Sequence, residues 1–253
     1  MKSLLFLLFF SMALVLARAS DVHVFAAASL TDVMRAIAAK YEPISGDKII
    51  CNFAGSNVLA VQVLHGAAAD LFFSADEAQM DRLAQANAID ATSRKDVLYN
   101  RLVAVVSNGS ALQVKSPSDL ASPDIKHLAL ADPASVPAGV YAKAYLEKAG
   151  LWTKIEPRVI PTENVRAALA AVESGNVDAG VVYQTDAKIS KKVQVAFVFP
   201  DTAGISIAYP AAVLHDAAQP EAARKFLTYL EGPEASAIFS SYGFIVASAS
   251  HDQ

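Results

Sequence analysis

A single cysteine, Cys51, stands in the 253-residue chain, so no disulfide can form within it. It lies in Lys48-Ile49-Ile50-Cys51-Asn52-Phe53, a strand-like run where a thiol packs as a small inert hydrophobe. The glycine-rich signatures of nucleotide binding are missing too: there is no Gly-x-Gly-x-x-Gly, no phosphate loop and no Gly-x-Ser-x-Gly elbow. His23, His65, His127, His215 and His251 are too widely spaced for a metal-ligand motif. With no nucleophile–base pair to point to, an enzyme reading has no residues to rest on, and the expectation is that the protein is not an enzyme. Charged residues make up 18% of the chain with a net charge of −4, which argues against nucleic acid as a partner. Aromatic residues are few and fall inside apolar runs, so core packing is favoured over a base-stacking platform.

Long apolar runs are equally scarce. One spans Leu4 to Leu16, broken only by Ser11, after a basic start at Lys2 and before the small-x-small triplet Ala17-Arg18-Ala19. This pattern predicts a cleaved export signal over residues 1–19. The run is too short for a comfortable membrane span, which takes about 20 residues, and no cysteine follows the cleavage site to carry a lipid. The expectation is a soluble periplasmic protein, since an exported chain without disulfides suits that compartment better than an extracellular module.

What is abundant is hydrophobic residues, 54% of the chain, in strand-like runs that alternate with helical spacing. Strands are expected at Val22–Ala26, Lys48–Phe53, Asp70–Ala75, His127–Ala131, Val159–Ile160, Asp178–Tyr183 and Val193–Phe199. Helices follow most of them, from Ser29, from Val58 to Leu64, from Asp76, from Pro137 to Lys148 and from an N-cap at Thr162 through Val172. A turn is expected over Tyr41–Asp47. This alternation predicts parallel strands with crossover helices. Two long extended runs, 99–106 and 205–214, read as crossings between lobes. The domain expectation is a leader at 1–19, one lobe made of 20–100 and 210–253, and a second lobe of 101–209.

The joint Ala26-Ala27-Ala28-Ser29-Leu30-Thr31-Asp32 organises the reading. Ser29 is the expected helix cap, and Asp32 completes a Ser-x-x-Asp pattern. A helix start offers unpaired N–H groups and partial positive charge, and small residues before it leave room for an anion. Plain capping is the other reading of the same residues. Arg35 and Arg166 read as solvated helix charges.

Several pieces then occur in order along nearly the whole chain: Ala27-Ala28-Ser29-Leu30-Thr31-Asp32, Gly55-Ser56, Asp70 to Asp76, Asn100-Arg101-Leu102-Val103, Val136-Pro137-Ala138-Gly139, Glu163-Asn164-Val165-Arg166-Ala167-Ala168-Leu169, Val181-Val182-Tyr183 and Tyr242-Gly243-Phe244. With these the chain resembles the periplasmic molybdate-binding proteins of ABC importers. The resemblance implies an α/β, two-lobed, type II periplasmic binding-protein fold with the ligand in the cleft between lobes. It implies an oxyanion held by the hydroxyl and backbone N–H of Ser29 and Ser56, the N–H of Ala138 and Val165, and the hydroxyl of Tyr183. Molybdenum would enter only as molybdate through these residues, with tungstate as a second ligand and no cofactor. The implied partner is the membrane permease of an ABC importer, and a monomer is expected. The family commonly carries a second serine after Ser56; here that position is Asn57.

Other readings remain beside this one: a binding protein for another tetrahedral oxyanion such as sulfate, an exported enzyme on a similar fold, or an adaptor for a protein partner. The proposed ligands are nearly all donors, so a fully deprotonated dianion is expected to bind better than hydrogen phosphate. Asp32 is the one carboxylate in view as an acceptor, and it reads as a cap partner.

Overall fold

The computed structural model describes residues 19–200 and 204–247; the expected leader lies outside them but for Ala19. Among the described residues eleven strands form: β1 (Asp21–Ala27), β2 (Lys48–Ala54), β3 (Leu71–Phe73), β4 (Lys95–Asn100), β5 (Leu102–Ser107), β6 (Leu128–Ala131), β7 (Val159–Thr162), β8 (Ala179–Tyr183), β9 (Val193–Val198), β10 (Ile207–Val213) and β11 (Ile245–Val246). They build two sheets, in the orders β11-β4-β10-β3-β1-β2 and β7-β6-β8-β5-β9. Each sheet is parallel at one end, β2-β1-β3 in one and β7-β6-β8 in the other, where helical crossovers connect the strands, and antiparallel in the rest. The α/β, two-lobed architecture expected from the strand–helix alternation is therefore present.

The helices are α1 (Thr31–Ser45), α2 (Ser56–Leu64), α3 (Glu77–Gln85), α4 (Pro137–Lys148), α5 (Trp152–Ile155), α6 (Val165–Glu173), α7 (Gln184–Ile189), α8 (Pro220–Leu230) and α9 (Pro233–Ser241). Among the described residues no helix is long and apolar enough to cross a membrane. α1 runs through the expected turn to Ser45 and stops at Gly46, whose φ of 80° is the left-handed stop that a glycine supplies. Pro43 sits in its last turn and has no N–H to give the Ala39 carbonyl.

The expected strand over 99–106 is two strands in different sheets. β4 ends at Asn100 and β5 starts at Leu102, so the chain passes between lobes at Arg101. The return passage lies ahead of Ile207. Ile207, Ala208 and Tyr209, placed by the sequence at the end of the second lobe, pair with β4 in the first sheet. β5 and β8 are buried along nearly their whole length, so they read as continuous apolar runs rather than alternating ones. The carboxyl ends of β1, β2, β6, β7 and β8 all lead into helix starts, which is where an open α/β sheet places its ligand.

Candidate anion-binding site

Ser29, Ser56, Ala138, Val165 and Tyr183 line one cavity between the two sheets. Four arrive from turns that enter helices, and the fifth from the end of β8. The cavity is about 10 Å³, the room of roughly one water-sized body. It suits a compact ion rather than a sugar or a peptide. Apart from Asn164, its remaining lining is small or apolar, including Ala27, Ala28, Gly55, Ala75 and Pro137, and among the described residues no charged side chain is part of it.

In the first lobe, Ser29 does not cap α1. It sits inside a tight turn, Ala28–Leu30, and α1 starts at Thr31 with no side-chain cap. Thr31 Oγ1 donates to the Ala28 carbonyl at 2.7 Å and stabilises this turn. The Ser29 hydroxyl, free of capping, lies 3.0 Å from the Tyr209 hydroxyl. Ser56 is the first residue of α2, and its Oγ accepts from the Ala75 N–H at 3.0 Å. Asn57 is not part of the cavity lining, and its Nδ2 donates across the cleft to Ser135 Oγ at 3.2 Å.

In the second lobe, Ala138 and Val165 lie in the first turns of α4 and α6, where backbone N–H groups have no intrahelical partner. Gly139 holds α4 against the end of β6: a Cβ there would overlap the Ala131 carbonyl. The cap of α6 is Asn164, whose Oδ1 accepts from the Ala167 N–H at 3.0 Å, and not Thr162 as the sequence suggests. Thr162 closes β7 instead, and its hydroxyl donates to the carbonyls of Leu130 and Asn164. Tyr183 is 1% exposed, and its hydroxyl has no hydrogen-bond partner among the described residues. Burial raises its pKa well above the usual tyrosine value, so the hydroxyl keeps its proton.

Arg166 is not a solvated charge. Its Nη1 lies 2.7 Å from Asp32 Oδ2 on α1, and its Nε lies 2.6 Å from the wholly buried Asp186 on α7. These are close charge contacts without good hydrogen-bond direction, whereas Nη2 donates properly to the Ser29 carbonyl at 3.2 Å. Asp32 is thus an ion-pair partner rather than half of a capping box. Asp186 accepts the Tyr183 N–H at 3.2 Å, and burial pushes its pKa up to about 6 against the pull of Arg166. Arg166, Tyr209 and Asn100 carry roles that the sequence reading missed. A tyrosine in a run as apolar as Ile207–Val213 was the available signal, since a buried Tyr hydroxyl needs a partner.

The bacterial extracellular solute-binding protein family model matches residues 22–245. The chain is 41% identical over 237 residues to the molybdate-binding protein ModA of Escherichia coli (strain K12), covering 91% of each chain. It is also similar to a solved structure, the substrate binding domain of a putative molybdenum ABC transporter from Clostridium difficile, with 31% identity and a TM-score of 0.71 over 90% of this chain and 100% of that one. The periplasmic molybdate-binding protein of Azotobacter vinelandii superposes with a TM-score of 0.81 at 22% identity, over 89% of this chain and 99% of that one, a likeness of fold.

Proposed function

The chain belongs to the bacterial extracellular solute-binding protein family, and on that premise we propose that it captures molybdate, and tungstate beside it, between its lobes for delivery to the membrane permease of an ABC importer. The observation that carries this reading is the Tyr183 hydroxyl, buried, protonated and without a protein acceptor beside a cavity ringed by other donors. A buried donor left unpaired costs about 1–3 kcal/mol. A small anion that accepts bonds from every side relieves that cost at Tyr183 and at the helix-start N–H groups together.

In this reading Ser29 and Ser56 hold the oxyanion through hydroxyl and N–H, Ala138 and Val165 through N–H, and Tyr183 through its hydroxyl. Molybdenum is bound only as its oxyanion, with no separate metal ligand and no cofactor. The proposed lobes are residues 20–100 with 210–253, and 101–209, with Ile207–Tyr209 better counted in the first because they pair with β4; the change of sheet between β4 and β5 supports the division at Arg101. Removal of the leader at 1–19 leaves a soluble periplasmic monomer, a reading supported by the basic, apolar and small-residue order of that segment.

Capture works by closure. Ser29 and Ser56 come from one lobe and the other three ligands from its partner, so the anion satisfies both sets only when the lobes meet. Binding therefore favours the closed state. A thermal-shift series with molybdate, tungstate, sulfate and phosphate tests the function. Molybdate and tungstate should raise the melting temperature in proportion to the logarithm of their concentration. A response to sulfate alone would reassign the ligand, and no response to any oxyanion would overturn the reading.

A further inference from the structure

The hydrogens around Ser29 can be placed from chemistry alone. The Arg101 N–H donates to Asn100 Oδ1 at 2.9 Å. A backbone N–H can only donate, so the Asn100 amide has one orientation. Its Nδ2, a donor, then faces Thr185 Oγ1 at 2.9 Å and the Tyr209 hydroxyl at 3.2 Å. Tyr209 is 0% exposed. Its oxygen takes a hydrogen from Asn100, and its own hydrogen needs an acceptor. Ser29 Oγ stands 3.0 Å away to receive it. The neighbouring Tyr183 hydroxyl, whose ring packs against Tyr209, makes no hydrogen bond among the described residues. Ser29 Oγ thus accepts from Tyr209, and its own hydrogen is turned toward the cavity that Ser29 lines. Ser56 is set the same way by one bond, since its Oγ accepts from the Ala75 N–H.

We propose that Asn100 and Tyr209 are positioning residues that aim the Ser29 hydrogen into the cavity and so set the site's selectivity for an anion that carries no proton. The inference rests on the oxyanion reading and deepens it. An anion with no proton accepts from both serines and from Tyr183. A hydrogen phosphate brings an O–H of its own, which meets hydrogens where it needs a lone pair. The order Asn100 to Tyr209 to Ser29 is what keeps Ser29 from turning round to accept it.

The test is Tyr209→Phe, which keeps the ring and its packing on Phe244 and Tyr183. With no hydrogen arriving from Tyr209, Ser29 is free to rotate. Calorimetry at mildly acidic pH should find molybdate affinity lowered about fivefold and the molybdate-over-phosphate ratio lowered about tenfold or more. In a Ser29→Ala background the same change should alter neither quantity, because there is no hydroxyl left to aim. A Tyr209→Phe protein with a lowered melting temperature but the wild-type affinity and ratio would overturn the proposal. Should that variant not fold, a neutron structure of the wild-type protein decides. A deuterium on Tyr209 directed at Ser29 Oγ supports the relay, and one on Ser29 directed at Tyr209 overturns it. Wild-type protein that binds none of molybdate, tungstate or sulfate would overturn the oxyanion reading instead, while the neutron map would still report on the hydrogen order.

Discussion

Arg166 on α6 lies 2.7 Å from Asp32 on α1, so an ion pair joins the two lobes beside the cavity. The same guanidinium donates to the Ser29 carbonyl and touches Asp186, which in turn holds the Tyr183 N–H. One side chain next to Val165 is therefore tied to the segments that carry Ser29 and Tyr183.

The pair should favour the closed form. Its side chains are 24% and 39% exposed, between a surface pair and a buried one. Exposed pairs contribute about 0.2–1 kcal/mol, and at this partial burial a value of about 1 kcal/mol is expected. Asp32→Asn should therefore weaken anion affinity about fivefold, measured by calorimetry, and leave the unliganded melting temperature nearly unchanged. Affinity equal to the wild type would show that the contact plays no part in closure.

Tyr183→Phe separates ligand binding from packing. The hydroxyl has no partner to lose among the described residues, so unliganded stability should hold or rise slightly. Affinity should fall by about 1.5–3 kcal/mol, roughly ten- to a hundredfold, for one bond to a charged ligand. Calorimetry beside unliganded melting reads both. Unchanged affinity with a lowered melting temperature would make Tyr183 a core residue only.

Much of this was legible in the sequence. The strand–helix alternation located the helix starts, and small residues before Ser29 and Ser56 marked room for a ligand. The five cavity residues were named through the family resemblance, and their places at strand-to-helix joints agree with it. Tyr209, Asn100 and Arg166 were not legible in the same way. Their roles depend on partners 180, 109 and 137 positions distant, and no periodicity encodes such pairings. Ser29 was misread as a cap and Asp32 as its partner because a Ser-x-x-Asp string is silent about an arginine arriving from the other lobe.

Asp186 predicts a pH dependence. Burial raises its pKa from the usual 3.8 to about 6, so the folded protein keeps a proton that the unfolded chain has released. Stability from that proton is complete below about 3.8 and is lost as pH rises through about 6. Urea unfolding of the wild type and of Asp186→Asn between about pH 4 and about pH 7 checks the sign. Relative to the variant, the wild type should lose on the order of 2 kcal/mol across that window. A relative gain would mean that Arg166 outweighs burial.

Asn57 is not part of the cavity lining, and its bond to Ser135 crosses the cleft. Asn57→Ala should therefore change affinity by about threefold or less, the worth of one partly exposed neutral hydrogen bond. Calorimetry showing a loss of a hundredfold would place Asn57 among the ligands.

The central claim is that a donor-lined cavity without a charged side chain holds a proton-free tetrahedral dianion. Titration calorimetry with molybdate, in buffer and then in a large excess of phosphate at mildly acidic pH, tests it most directly. The account predicts saturable binding of one anion per chain that phosphate leaves almost unchanged. Displacement by phosphate at concentrations comparable to molybdate, or no saturable binding in buffer, would contradict it.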